Sequence, residues 1–352
     1  MRWYAPWLYP FALLYNGVTK VRNKLFDRGT LPSFNPSIPT VVVGNLNVGG
    51  SGKTPMVEFL IESFADQYRT VTLSRGYGRK TKGFVLASQD TSPEQIGDEP
   101  FQIFSKYKER IHVAVGEKRV DAAQEILSQL PETQLLLLDD AFQHRYILGD
   151  VKILLTTFHR PFFEDHLLPA GTLRESRTGA ERADIIVVTK CPNELLASEK
   201  ERFLKKISRY SKARVLFAGL GYGSPKVVSG QEQGIQTKKV IALSGIADNS
   251  LFLAEARRRF EVLEVLDFPD HYTYRESDMS ALKQLSEKHG GAAVLTTEKD
   301  AVKLKSPAFR ECLAEIPIFA LPVNIKLSDA DAQVLRSRVK QSIGEKLKIR
   351  EV

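Results

Sequence analysis

Only two cysteines, Cys191 and Cys312, occur among the 352 residues, and no Cys-x-x-Cys pair is present. A disulfide framework and a cysteine-built zinc site are therefore not expected, and a reducing compartment fits. No apolar run approaches the roughly 20 residues that a membrane-spanning helix requires. No small-residue cleavage site follows the apolar N-terminal stretch, so a signal peptide is not expected. Internal repeats and low-complexity tracts are missing as well. Charge of one sign is only mildly in excess: 50 Lys and Arg against 42 Asp and Glu leave a formal +8. That excess suits an anionic partner without choosing among nucleic acid, phospholipid and phosphosugar. The length accommodates two α/β domains.

What is present is most informative at Val41–Pro55. A β-branched run, Val41-Val42-Val43, feeds a glycine-rich loop that ends in Gly52-Lys53-Thr54. Val57, Leu60, Ile61 and Phe64 then recur at helical spacing. Strand, loop and helix form the context of a phosphate-binding loop, in which backbone N–H groups and the helix N-terminus face phosphate oxygens. Asn47, Val48, Gly49, Gly50, Ser51, Gly52, Lys53 and Thr54 are the expected nucleotide contacts. Lys53 would reach the β- and γ-phosphates, and the Thr54 hydroxyl would hold Mg²⁺. Where the strict pattern has its first glycine this chain has Asn47. Asparagine tolerates left-handed backbone, so the loop is expected to survive the exchange.

Both tryptophans, Trp3 and Trp7, fall in the first seven residues, beside Tyr4, Tyr9, Phe11 and Tyr15. Pro6 and Pro10 are expected to interrupt any helix there. From Phe11 onward a helical stripe of Phe11, Leu14, Val18, Val21 and Leu25 appears, with Lys20, Arg22, Lys24 and Arg28 around it. Aromatic and basic residues together suit a helix lying in a membrane interface; the plainer alternative is an amphipathic helix packed on its own domain.

Short apolar runs recur at 70–73, 111–115, 135–138, 151–155 and 185–188, with helical patterns such as 119–129 between them. This alternation predicts an α/β fold with a doubly wound, mostly parallel sheet whose ligands bind at the carboxyl ends of the strands. Gly-Leu-Gly-Tyr-Gly-Ser-Pro near 219–230 breaks the pattern. Runs at 240–243, 263–266, 293–296 and 318–321 then predict a second, smaller α/β set. The expected division is a membrane-association helix over 1–30, a phosphate-loop domain over 31–222, and a C-terminal domain over 223–352 that includes a basic terminal helix.

Leu135-Leu136-Leu137-Leu138 ends in Asp139-Asp140. Adjacent carboxylates repel unless a cation is near, and phosphate-loop enzymes hold Mg²⁺ with an aspartate at the end of a neighbouring strand. Ser74-Arg75-Gly76-Tyr77-Gly78-Arg79 follows another strand and offers two arginines to a ligand. Asp98, in Gly97-Asp98-Glu99-Pro100, reads from its local context as a helix cap.

Taken together, these segments resemble the tetraacyldisaccharide 4′-kinase family, the lipid A 4′-kinases of Gram-negative bacteria. The matching stretches are Gly44–Pro55, Ser74–Arg79, Gly97–Pro100, Asp139–His144, Leu168–Glu175, Phe268–His271 and Thr296–Leu304, and the aromatic-basic N-terminus matches too. Ala141 stands where the family usually has glycine, and Tyr272 where a second histidine is common. The resemblance implies transfer of the ATP γ-phosphate to the 4′-hydroxyl of a tetraacylated disaccharide 1-phosphate, with ATP and Mg²⁺ required. It implies Asp98 as catalytic base with His271 as its partner, and Asp139, Asp140 and Glu175 as Mg²⁺ ligands beside Thr54. Arg75, Arg79, His144, Arg174 and Arg177 become candidates for holding phosphates or the substrate's 1-phosphate. The substrate is a bilayer glycolipid, so the N-terminal helix would bring the enzyme to the cytoplasmic face of the inner membrane.

Two other readings compete. Thr189-Lys190-Cys191-Pro192 follows a strand as the guanine-reading motif of GTPases does, which makes a GTPase or metallochaperone-type NTPase the alternative. It lacks the aspartate that pairs with guanine. A basic nucleic-acid-binding module suits the charge, but no nucleic-acid motif is present and nucleic acid is not an expected partner.

Overall fold

The computed structural model describes residues 5–230, 235 and 238–350. The strands are β1 (Thr40–Asn45), β2 (Thr70–Ser74), β3 (Val85–Leu86), β4 (Ile111–Val115), β5 (Leu135–Asp139), β6 (Val151–Thr157), β7 (Ile185–Thr189), β8 (Arg214–Tyr222), β9 (Lys226–Ser229), β10 (Lys239–Ser244), β11 (Glu261–Asp267), β12 (Ala293–Thr297), β13 (Ile318–Leu321) and β14 (Val323–Leu327). The helices are α1 (Ala5–Asp27), α2 (Lys53–Phe64), α3 (Pro93–Ile96), α4 (Asp98–Tyr107), α5 (Arg119–Gln129), α6 (Ala197–Ile207), α7 (Ser250–Arg259), α8 (Glu276–Lys288), α9 (Glu298–Leu304), α10 (Arg310–Leu313) and α11 (Asp329–Arg350).

The apolar runs are continuous because both faces of the sheet are covered. Val41, Val43, Leu135 and Leu137 point into one core, while Val42, Leu136 and Leu138 point into the other. The first sheet runs β14-β8-β7-β6-β1-β5-β2-β4-β3, parallel except for its edge strands β14 and β3. The order reverses around β1, so the loop after β1 opens at the crevice where such folds bind ligands. The second sheet runs β11-β10-β12-β13-β9, with β9 antiparallel.

The second sheet is inserted between β8 and β14, which pair side by side with Tyr222 opposite Val323. Two adjacent connections, 223–225 and Pro322, therefore join the units. The sequence division assigned the terminal helix to the smaller unit, but α11 buries Leu335, Val339 and Ile343 in the core of the first sheet, against β6 and β14. The fourfold apolar spacing fixed the helix; only tertiary contact decides which sheet it covers.

A second difference concerns α1, which continues through Pro10. Proline inside a helix costs about 3 kcal/mol, and contacts with the body of the protein offset it. Tyr15 Oη donates to the Arg174 carbonyl at 2.7 Å, Asn23 Nδ2 donates to Glu175 Oε2 at 3.1 Å, and Tyr9 Oη lies 2.8 Å from His166 Nδ1. Ala12 and Phe26 are buried, whereas Trp7, Phe11, Leu14, Val18 and Val21 form an exposed stripe. Trp3 and Tyr4 lie outside the described residues.

Candidate functional site

β1 ends at Asn45 and α2 begins at Lys53, with Gly52 at φ 83° capping the helix. That left-handed backbone is open to glycine without strain and turns the loop back over the helix N-terminus. The Lys53 ammonium lies 3.5 Å from Asn45 Oδ1 and 3.7 Å from Asp140 Oδ1. Asn47 does not adopt the left-handed conformation expected of it. Its buried amide instead donates to Asp165 Oδ2 at 2.8 Å. Asp165 also accepts from the backbone N–H groups of His166 and Thr172 and from the Thr172 hydroxyl. These bonds outweigh its burial and hold the Asp165 carboxyl below the ordinary range. Two further bonds, Val48 N–H to Thr172 O and Arg174 N–H to Leu46 O, tie the loop to the 165–177 segment. Asp165 was not found from the sequence because nothing in its own neighbourhood marks it as a brace.

β5 delivers Asp139 and Asp140 next to this loop, since β1 and β5 are parallel neighbours with Val43 opposite Asp139. Asp139 is 4% exposed, and its Oδ1 has no hydrogen-bond partner. Burial, followed by the charge of Glu99, pushes its carboxyl up to about 7, against the pull of Lys53. Asp140 has the opposite balance. Burial raises it, but Lys53 and Arg174 prevail and hold it below the usual range. Arg174 Nη1 contacts both Asp140 oxygens, at 2.9 and 3.0 Å.

Glu175 does not join the pair. Its Oε1 accepts from Arg182 at 2.7 Å and Gln143 at 3.0 Å, and its Oε2 accepts from Asn23. Its oxygens are committed to bracing α1 and the 139–144 turn. Arg177 is likewise spent on the Asp165 carbonyl.

Around the carboxylates lies a set of cations. Arg119 is 2% exposed and bonds the Gly116 carbonyl, which leaves Nε and Nη2 unpartnered. Burial lowers its guanidinium to about 10; Asp139 and Asp140 oppose the shift while Arg75 and Arg79 add to it. Arg79 ion-pairs with Glu117 at 2.6 Å, yet its Nε and Nη1 remain buried without a partner. Arg75 is exposed. His144 is lowered to about 4 by burial, then by Arg119 and Arg75, and is neutral at pH 7. Unpartnered guanidinium nitrogens beside like charges fit an anion. Arg119 escaped the sequence reading because it opens an otherwise ordinary helix.

Residues of the second unit face the 97–99 turn. Asp98 is the first residue of α4 and makes no capping bond, so the cap reading is not upheld. Gly97 precedes it at φ 93°, and a Cβ there would sit 2.7 Å from the Tyr77 carbonyl oxygen; only glycine lets the 74–79 turn approach so closely. The Asp98 carboxylate lies 3.6 Å from Lys303 Nζ of α9. Lys299 Nζ is 3.3 Å from Glu99 and 3.1 Å from Asp270. His271 is at φ 59°, with Nε2 3.4 Å from Lys299 Nζ and its ring 4.9 Å from that of Tyr77. Among the described residues no hydrogen bond joins Asp98 to His271. The described residues also contain no cluster of three or more His, Cys, Asp or Glu suited to a metal, and no helix long and apolar enough to cross a membrane.

A family model described as tetraacyldisaccharide-1-P 4′-kinase matches residues 4–343. The tetraacyldisaccharide 4′-kinase of Flavobacterium johnsoniae is 40% identical over 322 residues, covering 90% of this chain and 92% of the relative. That of Cytophaga hutchinsonii is 38% identical over 341 residues, covering 97% and 96%. The crystal structure of the "apo" form of LpxK from Aquifex aeolicus in complex with ATP superimposes with a TM-score of 0.74 at 30% identity, covering 96% of this chain and 99% of that one.

Proposed function

This chain belongs to the tetraacyldisaccharide-1-P 4′-kinase family, and we propose how its residues carry the ATP γ-phosphate to the 4′-hydroxyl of a tetraacyldisaccharide 1-phosphate. It is an ATP-dependent kinase of lipid A biosynthesis. The GTPase alternative is not favoured by the family or by the structural neighbour, which holds ATP.

One observation carries the assignment of roles: a buried, unpartnered carboxylate oxygen of Asp139 beside the Lys53 loop. A buried carboxylate without a donor is costly unless a cation meets it. Oxygen donors are the set that Mg²⁺ takes, and one or two carboxylates suffice beside phosphates, waters and a hydroxyl, so a larger cluster is not needed. Thr54, Asp139 and Asp140 would hold the ion, the 35%-exposed Asp140 by exchanging Arg174 for it; Glu175, 4% exposed with Arg182, Gln143 and Asn23 on its oxygens, would brace the adjoining turn instead. When bound, Mg²⁺ neutralises charge on the phosphates. The backbone of Asn47–Thr54 and the Lys53 ammonium bind and orient the triphosphate. Asp98 accepts the proton of the 4′-hydroxyl as its oxygen bonds to the γ-phosphorus and the bridge to ADP breaks. His271 would join Asp98 on closure of the second unit, so that the full site forms only around substrate. Arg75, Arg79 and Arg119, with neutral His144 beside them, would receive an anionic group of the substrate.

The lipid comes from a bilayer, and the exposed stripe of α1 supports peripheral docking at the cytoplasmic face of the inner membrane. Lys20 and Lys24 are exposed toward headgroups, whereas Arg22 turns inward over the Phe26 and Tyr146 rings. A cavity of about 360 Å³ lies beside the helix, lined by Tyr9, Leu13, Leu167, Leu173 and Tyr210 among others; its apolar walls suit an acyl chain.

The test is incubation with labelled ATP, Mg²⁺ and detergent-dispersed disaccharide 1-phosphate lipid. Label on the distal sugar, lost in Asp98→Ala and Lys53→Ala, is expected. Transfer at the wild-type rate by either variant refutes its role.

A further inference from the structure

Among the described residues, three other than glycine have positive φ: Asp140 at 48°, Lys190 at 57° and His271 at 59°. Such backbone costs a residue with a Cβ roughly 1–2 kcal/mol, and it persists where surrounding structure over-determines it, commonly at functional sites. Asp140 and His271 already belong to the proposed machinery. Lys190 does not, and it sits in the Thr189-Lys190-Cys191-Pro192 segment that the kinase reading left without a purpose.

The end of β7 is built against the phosphate loop. Thr189 is fully buried, and its hydroxyl donates to the Ser51 carbonyl at 2.8 Å. One residue later the left-handed turn at Lys190 directs its side chain across the loop. Its ammonium lies 4.0 Å from where a Cβ on Gly50 would be, and the side chain is only 13% exposed. The partner of that ammonium comes from the second unit: Asp248, in the loop between β10 and α7, lies 3.3 Å away. Asp248 is itself 52% exposed, and it also accepts from the Ser250 N–H and hydroxyl.

The magnitudes decide what this pair is for. An ion pair with one partner half in water is worth about 0–1 kcal/mol. The backbone strain at Lys190 is as large or larger, so the Lys190–Asp248 pair does not by itself repay the conformation that creates it. A polyanion in the loop below would. We infer that Lys190 is a nucleotide-positioning residue held in reserve by Asp248: its ammonium pairs with the second unit while the loop is free and turns to the phosphates of ATP when the loop is filled. This rests on the reading that ATP occupies the 47–54 loop. Binding of ATP then removes one tie between the two units and frees the β10–α7 loop.

The experiment measures Kd for Mg·ATP and for adenosine by calorimetry on the full chain. Lys190→Ala is expected to weaken ATP about tenfold, the loss of one charge-assisted hydrogen bond, and to leave adenosine unchanged. Lys190→Arg is expected to restore most of the affinity. Asp248→Asn, by releasing the competitor, should tighten ATP roughly threefold in the wild-type background and have no effect in Lys190→Ala, as coupling through one side chain requires. Lys190→Gly relieves the strain at the expense of the ion pair and of unfolded-state entropy, terms of similar size, so its melting temperature should stay near that of wild type while ATP binding weakens; a merely structural lysine would leave ATP affinity unchanged, and this variant remains informative if Lys190→Ala folds poorly. Wild-type ATP affinity in Lys190→Ala, or an equal effect of Asp248→Asn in both backgrounds, overturns the inference. Lys53→Ala separates the premise from the inference. If it leaves ATP binding intact, the loop reading falls and this inference with it; if it abolishes binding while the Lys190 variants do not change it, the inference alone falls.

Discussion

Replacing Asn47 by glycine separates pattern from structure. The strict phosphate-loop pattern has glycine at this position, so by the motif alone Asn47→Gly is harmless. In the fold, Asn47 has no left-handed backbone to relieve, and its buried amide donates to the Asp165 carboxylate at 2.8 Å. A hydrogen bond to a charged acceptor contributes about 1.5–3 kcal/mol. Glycine adds unfolded-state entropy of about 0.5–1 kcal/mol. The sum is roughly 2–4 kcal/mol, reduced to the extent that water reaches the vacated space. Asp165 keeps its bonds from His166 and Thr172, so the carboxylate is not orphaned and the loss should stop within that range. Asn47→Ala removes the same bond without the glycine term and should cost about 1.5–3 kcal/mol. Urea unfolding followed by circular dichroism, with Asp165→Asn completing a double-mutant cycle, measures it. Because the loop is also held by Val48 and Arg174 through backbone bonds, the KM for ATP should rise only a few fold. Asn47→Gly unfolding within about 0.5 kcal/mol of wild type, or full additivity with Asp165→Asn, refutes the bracing argument.

Asp98→Ala should lower turnover by about 10²–10⁴, the usual worth of a general base, with Kd for ATP within a few fold of wild type; a matching loss of ATP affinity argues against the base role. Glu58 provides a pH prediction. Burial pushes this carboxyl, which shares Lys106 with Glu298, from 4.5 up to about 7. The folded state therefore holds a proton that the unfolded chain has released, and stability present below pH 4.5 is lost as pH rises toward 7. Glu58→Gln cannot make this change, so its stability relative to wild type should rise by roughly 3 kcal/mol between pH 4.5 and 8; a constant difference contradicts the assignment. For the membrane face, Phe11→Ser with Leu14→Ser should weaken liposome sedimentation tenfold or more, since burying each such side chain is worth about 1.5–3 kcal/mol. Both are exposed, so the melting temperature should not move. Equal sedimentation by the double variant rejects the docking face.

Much of the site was legible because its residues are local. The Gly52-Lys53-Thr54 ending and the Asp139-Asp140 strand end each bring their own geometry, and a parallel sheet gathers strand ends on one side, whereas the Gly97-Asp98 turn read locally only as a cap. The strands were legible for the same reason: burial on both faces leaves an unbroken apolar run, which is a signal carried in a few consecutive residues. The helical stripe of α1 was legible as a period, although its passage through Pro10 was not, because the contacts that offset the proline come from residues more than a hundred positions away.

Tertiary structure alone decided who partners whom. Whether Glu175 faces a metal or braces Arg182, whether Asn47 bends the loop or anchors it, and whether Asp98 caps a helix or faces Lys303 all depend on side chains distant in sequence. The same holds for Arg119, whose unpartnered nitrogens have meaning only beside Asp139 and Arg75. The physical reason is range. Backbone preference and apolar periodicity act over a few residues and are written in the chain itself. Desolvation and Coulomb interaction act through space, so the chemistry of a side chain is set by neighbours that only folding supplies.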